Sequence, residues 1–167
     1  LLFTVTATNN PAANDLLLVN VAYFSQNSSQ SLTAINLLSA IASLLTDEPD
    51  IVVRKSALSV VTGTGSITGT GGAANFTDVT PGARLRFKVE LENVGDYDAF
   101  SVIMSDPIPV GLTPVGGSLT FSNCSSGAAP TDTSAGSTFS ATGIDIPHGQ
   151  TCTIQYDVTL DTNAAFG

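Results

Sequence analysis

From Arg84 to Glu92 charged and apolar side chains alternate without a break. Arg84, Arg86, Lys88, Glu90 and Glu92 interleave with Leu85, Phe87, Val89 and Leu91. Successive side chains of an extended backbone point to opposite faces, so this run has one wet face and one core face. Asn93-Val94-Gly95-Asp96 then supplies turn residues, which accommodate tight backbone geometry. Ala99 to Met104 is a second apolar run, and Asp106-Pro107-Ile108-Pro109 stops it, because proline cannot donate to a ladder. The stretch predicts two strands of a sandwich and carries nothing a catalyst needs.

The 167 residues have room for one sizeable domain, or one domain and part of another. Charged residues make up 11% and hydrophobic ones 43%, yet no apolar run approaches the roughly 18 residues of a membrane span. Low charge with abundant Ser and Thr fits a β-rich extracellular protein. The net charge is −9, and the basic residues Arg54, Lys55, Arg84, Arg86 and Lys88 fall in two strand-like runs. Nucleic acid binding needs a basic stripe, so that class is excluded. The acidity favours solubility and suits a calcium-containing milieu. Cys124 and Cys152 are an even pair, which suggests an extracellular disulfide, with two separate buried thiols as the alternative. A bridge would close a loop of about 28 residues and contribute about 3 kcal/mol. Leu1-Leu2-Phe3 is too short for a secretory leader, so a mature chain or a fragment is expected.

The ordered motifs carry a family resemblance. Glu48-Pro49-Asp50-Ile51, Lys55, and Pro81-Gly82 before the long strand come first. Asn93-Val94-Gly95-Asp96, Asp106-Pro107-Ile108-Pro109-Val110-Gly111-Leu112, and His148-Gly149-Gln150 before Cys152-Thr153-Ile154 follow. In this order, over residues 48 to 167, the chain resembles the repeat domain of bacterial and archaeal surface proteins known as domain of unknown function eleven. The resemblance implies an extracellular Greek-key or immunoglobulin-like β-sandwich, usually in tandem, in adhesins, fibres and cell-wall proteins, with no enzyme activity. It also favours the disulfide, since similar cysteine pairs occur in that family.

The two ends of the chain look alike. Phe3 to Ala12 lies over Tyr156 to Ala165 with Val, Thr, Asn and Ala in register. In the resembled family this strand ends the sandwich, and Leu16-Leu17-Leu18-Val19-Asn20-Val21-Ala22 would supply the strand after it. Residues 1–25 are therefore expected to complete a neighbouring module, 26–49 to form a linker, and 50–167 to form the sandwich. The arrangement suits either a tandem array or strand donation between subunits, with Phe3, Val5, Leu16, Leu18 and Val21 as the assembly residues. A self-contained sandwich is the alternative. Leu38, Ile41, Leu44 and Leu45 sit at helical spacing between Thr33 and Asp47-Glu48-Pro49, which predicts a short helix over Leu32–Leu45. Val61–Ala74 and Ser125–Ser140 are poor in large side chains and read as loops, the first with a hairpin tip.

Few residues offer chemistry. His148 is the one histidine, and it sits in a turn composition with no nucleophile elbow anywhere. Glu90, Glu92, Asp96 and Asp98 lie close in sequence, but Glu90 and Glu92 share a face with the basic residues, which predicts a charge ladder rather than a glycosidase pair. Asp96 and Asp98 bracket a turn that could contribute oxygen ligands to calcium. No other cofactor is expected. Lys55 shares a strand face with Ile51 and Val53, so it points coreward and needs a partner, or snorkels to solvent. The resemblance implies an isopeptide crosslink for such a lysine, here with Asp106 or Glu90 as the acid and Asn20 of a following copy as the second partner. Sequons occur at Asn27, Asn75 and Asn123, all in expected loops and open to glycosylation.

The expected protein is an all-β sandwich of about seven to nine strands, with a donated or module-spanning N-terminal segment. Its expected role is a structural subunit of an extracellular prokaryotic filament, partnered by copies of itself and by covalent glycans. A glycan- or receptor-binding adhesin domain at the cell surface is the alternative. Its loops Thr62–Ala74 and Ser125–Ser140 hold no Trp or Tyr.

Overall fold

The computed structural model describes residues 17–27, 34–45 and 48–162. Phe3, Val5 and Leu16 lie outside them. The chain divides into two compact units, Leu1–Glu48 and Pro49–Gly167. In the first, β1 (Leu17–Asn27) and β2 (Ala34–Leu45) pair antiparallel, with Leu17 opposite Leu45 and Phe24 opposite Leu38. The helix expected over Leu32–Leu45 is thus replaced by a strand. Its helical spacing coexists with apolar residues at both strand parities. Leu37, Ile41 and Leu45 are of one parity in the sequence and Leu38, Ala40, Ala42 and Leu44 of the other, and cross-strand pairing overrides local periodicity. Of the segments read as a donated strand and a linker, the described parts Leu17–Asn27 and Ala34–Leu45 are the two arms of one hairpin.

The second unit is an antiparallel all-β sandwich. Its strands are β3 (Ile51–Thr62), β4 (Ser66–Thr68), β5 (Asn75–Thr77), β6 (Arg84–Asn93), β7 (Ala99–Pro107), β8 (Leu112–Pro114), β9 (Thr120–Ser122), β10 (Thr131–Asp132), β11 (Thr138–Ile146) and β12 (Thr151–Leu160). One sheet runs β3-β6-β12-β8, with β9 also on β12, and the facing sheet runs β10-β11-β7. A small hairpin, β4-β5, stands apart. The count exceeds the expected seven to nine because fragments of two or three residues form inside stretches that read as loops. Among the described residues the single helical element is a 3₁₀ turn at Gly71–Ala73.

The core lies between the two sheets. β6 turns in Leu85, Val89 and Leu91, β12 turns in Ile154, Tyr156 and Val158, and β11 turns in Phe139, Ala141, Ile144 and Ile146. The inward residues of β11 skip a step between Ala141 and Ile144, where the register with β7 shifts. An extra residue in one strand is a bulge, and Gly143 at φ 71° supplies the backbone state that side chains disfavour. This bulge breaks the alternation, so the nine residues of the strand do not read as one period-two run. Phe139 stacks on Tyr156 at 4.2 Å, Tyr156 on Phe87 at 5.8 Å, and Phe76 meets Phe87 edge-on at 5.2 Å.

Two polar devices close the ends. Asn93 is fully buried; its Nδ2 donates to the Tyr97 and Ile146 carbonyls, and its Oδ1 accepts from the Asp50 and Gly95 amides. One side chain thereby fixes the Val94-Gly95 turn, the start of β3 and the end of β11. Cys124 and Cys152 form the disulfide, both buried, 28 residues apart. It ties the loop after β9 to the first residues of β12. Reducing the bridge is expected to lower unfolding stability by about 3 kcal/mol, measured as the urea midpoint of oxidised against reduced protein.

Candidate functional site

β3 is an edge strand, and residues of one parity on it face the interior beside Val89 and Leu91 of β6. Ile51, Val53, Lys55 and Ala57 hold these positions. Val53 is nevertheless 63% exposed. The three-stranded sheet opposite ends at β7 and leaves this part of the larger sheet uncovered.

Lys55 stands at that lip. Its Nζ donates to Asp106 of β7 at 2.8–2.9 Å and lies over the Phe87 ring at 5.0 Å and the Tyr156 ring at 5.6 Å. The Tyr156 hydroxyl donates to Asp106 Oδ2, one of the two carboxylate oxygens that Lys55 Nζ contacts. Burial, then this hydrogen bond, pushes the Tyr156 phenol far above its ordinary value. Lys55 therefore points coreward, as its parity predicts, but at an open mouth with its side chain 38% exposed. Of the two acids considered for it, Asp106 is the partner. Glu90 faces the opposite side of the sheet and accepts from Lys88 Nζ at 2.9 Å. Asn20 falls within β1, in the other compact unit.

Below the lip an open cleft of about 530 Å³ continues along the same inner face, lined by Ala57, Phe76, Val79, Leu85, Phe87 and Leu112 among others. Sequence reading missed it. The lining residues are ordinary core types, and only the shortfall of the second sheet leaves them uncovered.

The outer face holds the charge ladder that alternation predicts. Arg54 pairs with Glu92, Lys88 with Glu90, and Arg84 and Arg86 both with Asp157. With Lys55 on Asp106, every one of the five basic residues is engaged by a carboxylate. Asp157 is fully buried. The Arg86 hydrogen bond, reinforced by Arg84, holds its carboxyl below the usual carboxylate range against the opposing effect of burial.

The remaining candidate residues are structural or exposed. The His148 amide donates to Asp98 Oδ1 at 2.8 Å and its ring pairs with the Gly95 carbonyl, so both residues clamp two turns together. Among the described residues no three His, Cys, Asp or Glu side chains converge as a metal site. Asn75 is exposed but opens strand β5 rather than a loop, and its Nδ2 donates to the Ala73 carbonyl at 2.9 Å. Asn123 is exposed at φ 56° beside the bridged Cys124. Asn27 is the last residue of β1. No helix among the described residues is long and apolar enough to cross a membrane.

No family model, curated protein or solved structure matches the chain. The family resemblance therefore rests on the ordered motifs alone.

The Asp157 clamp has a signed consequence. Its depressed pKa adds stability that is complete above the unfolded value near 3.9 and is lost as pH falls through the lower folded value. Replacing both Arg84 and Arg86 by Met strands a buried carboxylate and is expected to cost about 3–5 kcal/mol at pH 7. Urea unfolding across pH should show that deficit shrinking as pH falls and closing only below the depressed folded pKa of the parent, where both proteins carry a neutral carboxyl.

Proposed function

We propose that this chain is a non-catalytic structural subunit or repeat of an extracellular filament, joined to its neighbours by strand addition. The observation that carries the reading is a pairing of opposites on one chain. The sandwich has a bare sheet edge above an uncovered apolar face, and the described residues of the other compact unit form a two-stranded hairpin of largely apolar sequence. A lone two-stranded ribbon is marginal in water, and an open edge is a template for another strand. Joining the two satisfies both, and β-augmentation supplies main-chain hydrogen bonds with side-chain pockets for specificity. The disulfide supports an oxidising compartment, and thus the cell exterior.

Glycans on the exposed Asn75 and Asn123 fit the same setting. A crosslink between Lys55 and Asn20 of a following copy would make the joint covalent. The lysine amine replaces the side-chain amide nitrogen, ammonia leaves, and Asp106 is the acid beside the amine.

Two measurements test the proposal. Filaments boiled in denaturant with reductant should release a species near 17 kDa plus sugars if subunits are separate. A very large species means a tandem polypeptide or crosslinked chains, and peptide mapping at Lys55 separates those. Removing residues 1–48 as a whole, so that β2 is not left without β1, should yield a monomer that keeps its disulfide; filaments formed by that truncated chain would sink the idea.

A further inference from the structure

The sandwich has several sheet edges, and they differ in how open they are. β8 and β9 offer three residues each and β10 two. β3 is long, but the Ala57 amide donates to the Ala74 carbonyl at 2.9 Å, so the segment around the 3₁₀ turn already caps it. β7 has nine residues and ends its sheet; a bulge at Phe100–Ser101, where Ser101 lies at φ 55° and its amide donates to Asp145 Oδ1 at 3.0 Å, leaves Val102–Ser105 as its regular open part.

The ladder tells which β7 backbone groups are unused. The Ile108 amide donates to the Ser137 carbonyl at 2.7 Å. Pairing continues as Pro107 with Thr138, Asp106 with Phe139, Ser105 with Ser140 and Met104 with Ala141. Hydrogen-bonded and non-hydrogen-bonded pairs alternate in an antiparallel ladder. The amides of Asp106 and Met104 thus face β11, and those of Ser105 and Ile103 face away. Pro107, which has no amide, stands at an outward position where a missing donor costs the ladder nothing. β7 carries no Lys or Arg, the usual edge guards, and its Phe100 and Ile103 are 61% and 69% exposed.

Edge and groove adjoin. Asp106, at the end of β7, holds Lys55 of β3, and the open inner face runs to either side of that contact: Val53 before it, Ala57 and Phe87 with the cleft after it. A strand laid along β7 would roof this face. The charges beneath it are already mutually neutralised, so an uncharged strand covers them without stranding either one. The hairpin fits that requirement. Residues 17–45 contain no Asp, Glu, Lys or Arg, its arms are 11 and 12 residues long, and its register places apolar residues on both faces. Ile41 on it is 69% exposed.

We propose that β7 from Val102 to Ser105 is the acceptor edge, and that the β1–β2 hairpin of a second copy of this chain adds to it, roofing the lip and cleft over β3. The inference rests on the filament reading and names its joint.

The test is Ser105→Pro in the full chain, with Ser105→Ala as the control. Proline removes an outward amide and leaves the β11 ladder untouched. Ser105→Pro is expected to keep the disulfide and the circular-dichroism spectrum of the sandwich while raising the protein concentration needed for assembly about tenfold or more, the effect of one to two lost ladder hydrogen bonds. Ser105→Ala should assemble as the parent does. Assembly of Ser105→Pro at the parent concentration overturns β7 as the acceptor. If removing residues 1–48 still abolishes filaments, the filament reading survives that result. A parent that stays monomeric at every concentration and is merely destabilised by Ser105→Pro overturns the second copy as occupant, because the hairpin then serves its own chain. Should Ser105→Pro fail to form its disulfide, Ile103→Lys, which puts a charge on the same edge, is read by the same two outcomes.

Discussion

An apolar sheet face must be covered, and this sandwich covers only part of its larger one. The sheet built on β3, β6 and β12 presents more inner surface than three strands opposite can roof. The peculiarities of the molecule follow from that shortfall. Val53 shares a face with buried Leu91 yet stands in solvent. Phe87, only partly buried, lines an open cleft beside the core. A lysine is tolerated at an inward position because the interior there is not sealed, and its ammonium can hold Asp106 across the gap while resting on two aromatic rings. In a sealed sandwich the same ion pair would lose more in desolvation than it gains in attraction.

Polar groups that are sealed are fully partnered. No buried side-chain nitrogen or oxygen among the described residues lacks a hydrogen bond. Asn93 uses all its amide capacity on its own turn at Gly95 and Tyr97 and on two segments distant in sequence, at Asp50 and Ile146. Asp157 sits on the outer face of β12, yet two arginine side chains from β6 fold over it and remove it from water. These groups add directional constraints that apolar packing lacks, and they hold β3, β6, β11 and β12 in one register. Four of the five cations, Arg54, Lys55, Arg84 and Arg86, pair with a carboxylate on another strand.

The legible parts of the sequence were those where one strand faces water on one side and core on the other. β6 reads residue by residue because Arg84 to Glu92 alternate, and the same parity points Lys55 inward. The disulfide followed from an even cysteine count. Periodicity failed where both faces are apolar. In β2, strand and helix templates fit equally, and only the partner strand decides. It failed at β11 because the Gly143 bulge shifts parity midway, and at β4, β5 and β10 because strands this short carry no period. Tyr156 and Asp157 were passed over for a different reason. Adjacent on one strand, they face opposite sides, and their chemistry comes from Asp106 and from Arg84 and Arg86, all about fifty or more residues away. Long-range partners leave no local trace in a sequence.

If the open edge of one copy takes the hairpin of another, assembly is coupled to folding. In the proposed filament neither half reaches its full stability alone, so the stability of each copy depends on the concentration of the others. The sandwich retains its own core, its disulfide and its buried Asn93, so it persists as a competent acceptor before a donor arrives. The hairpin has no comparable reserve, since two strands without a covering layer gain little from closing. Order therefore passes from acceptor to donor along the fibre, and each junction completes a sheet that the subunit's own strands leave short.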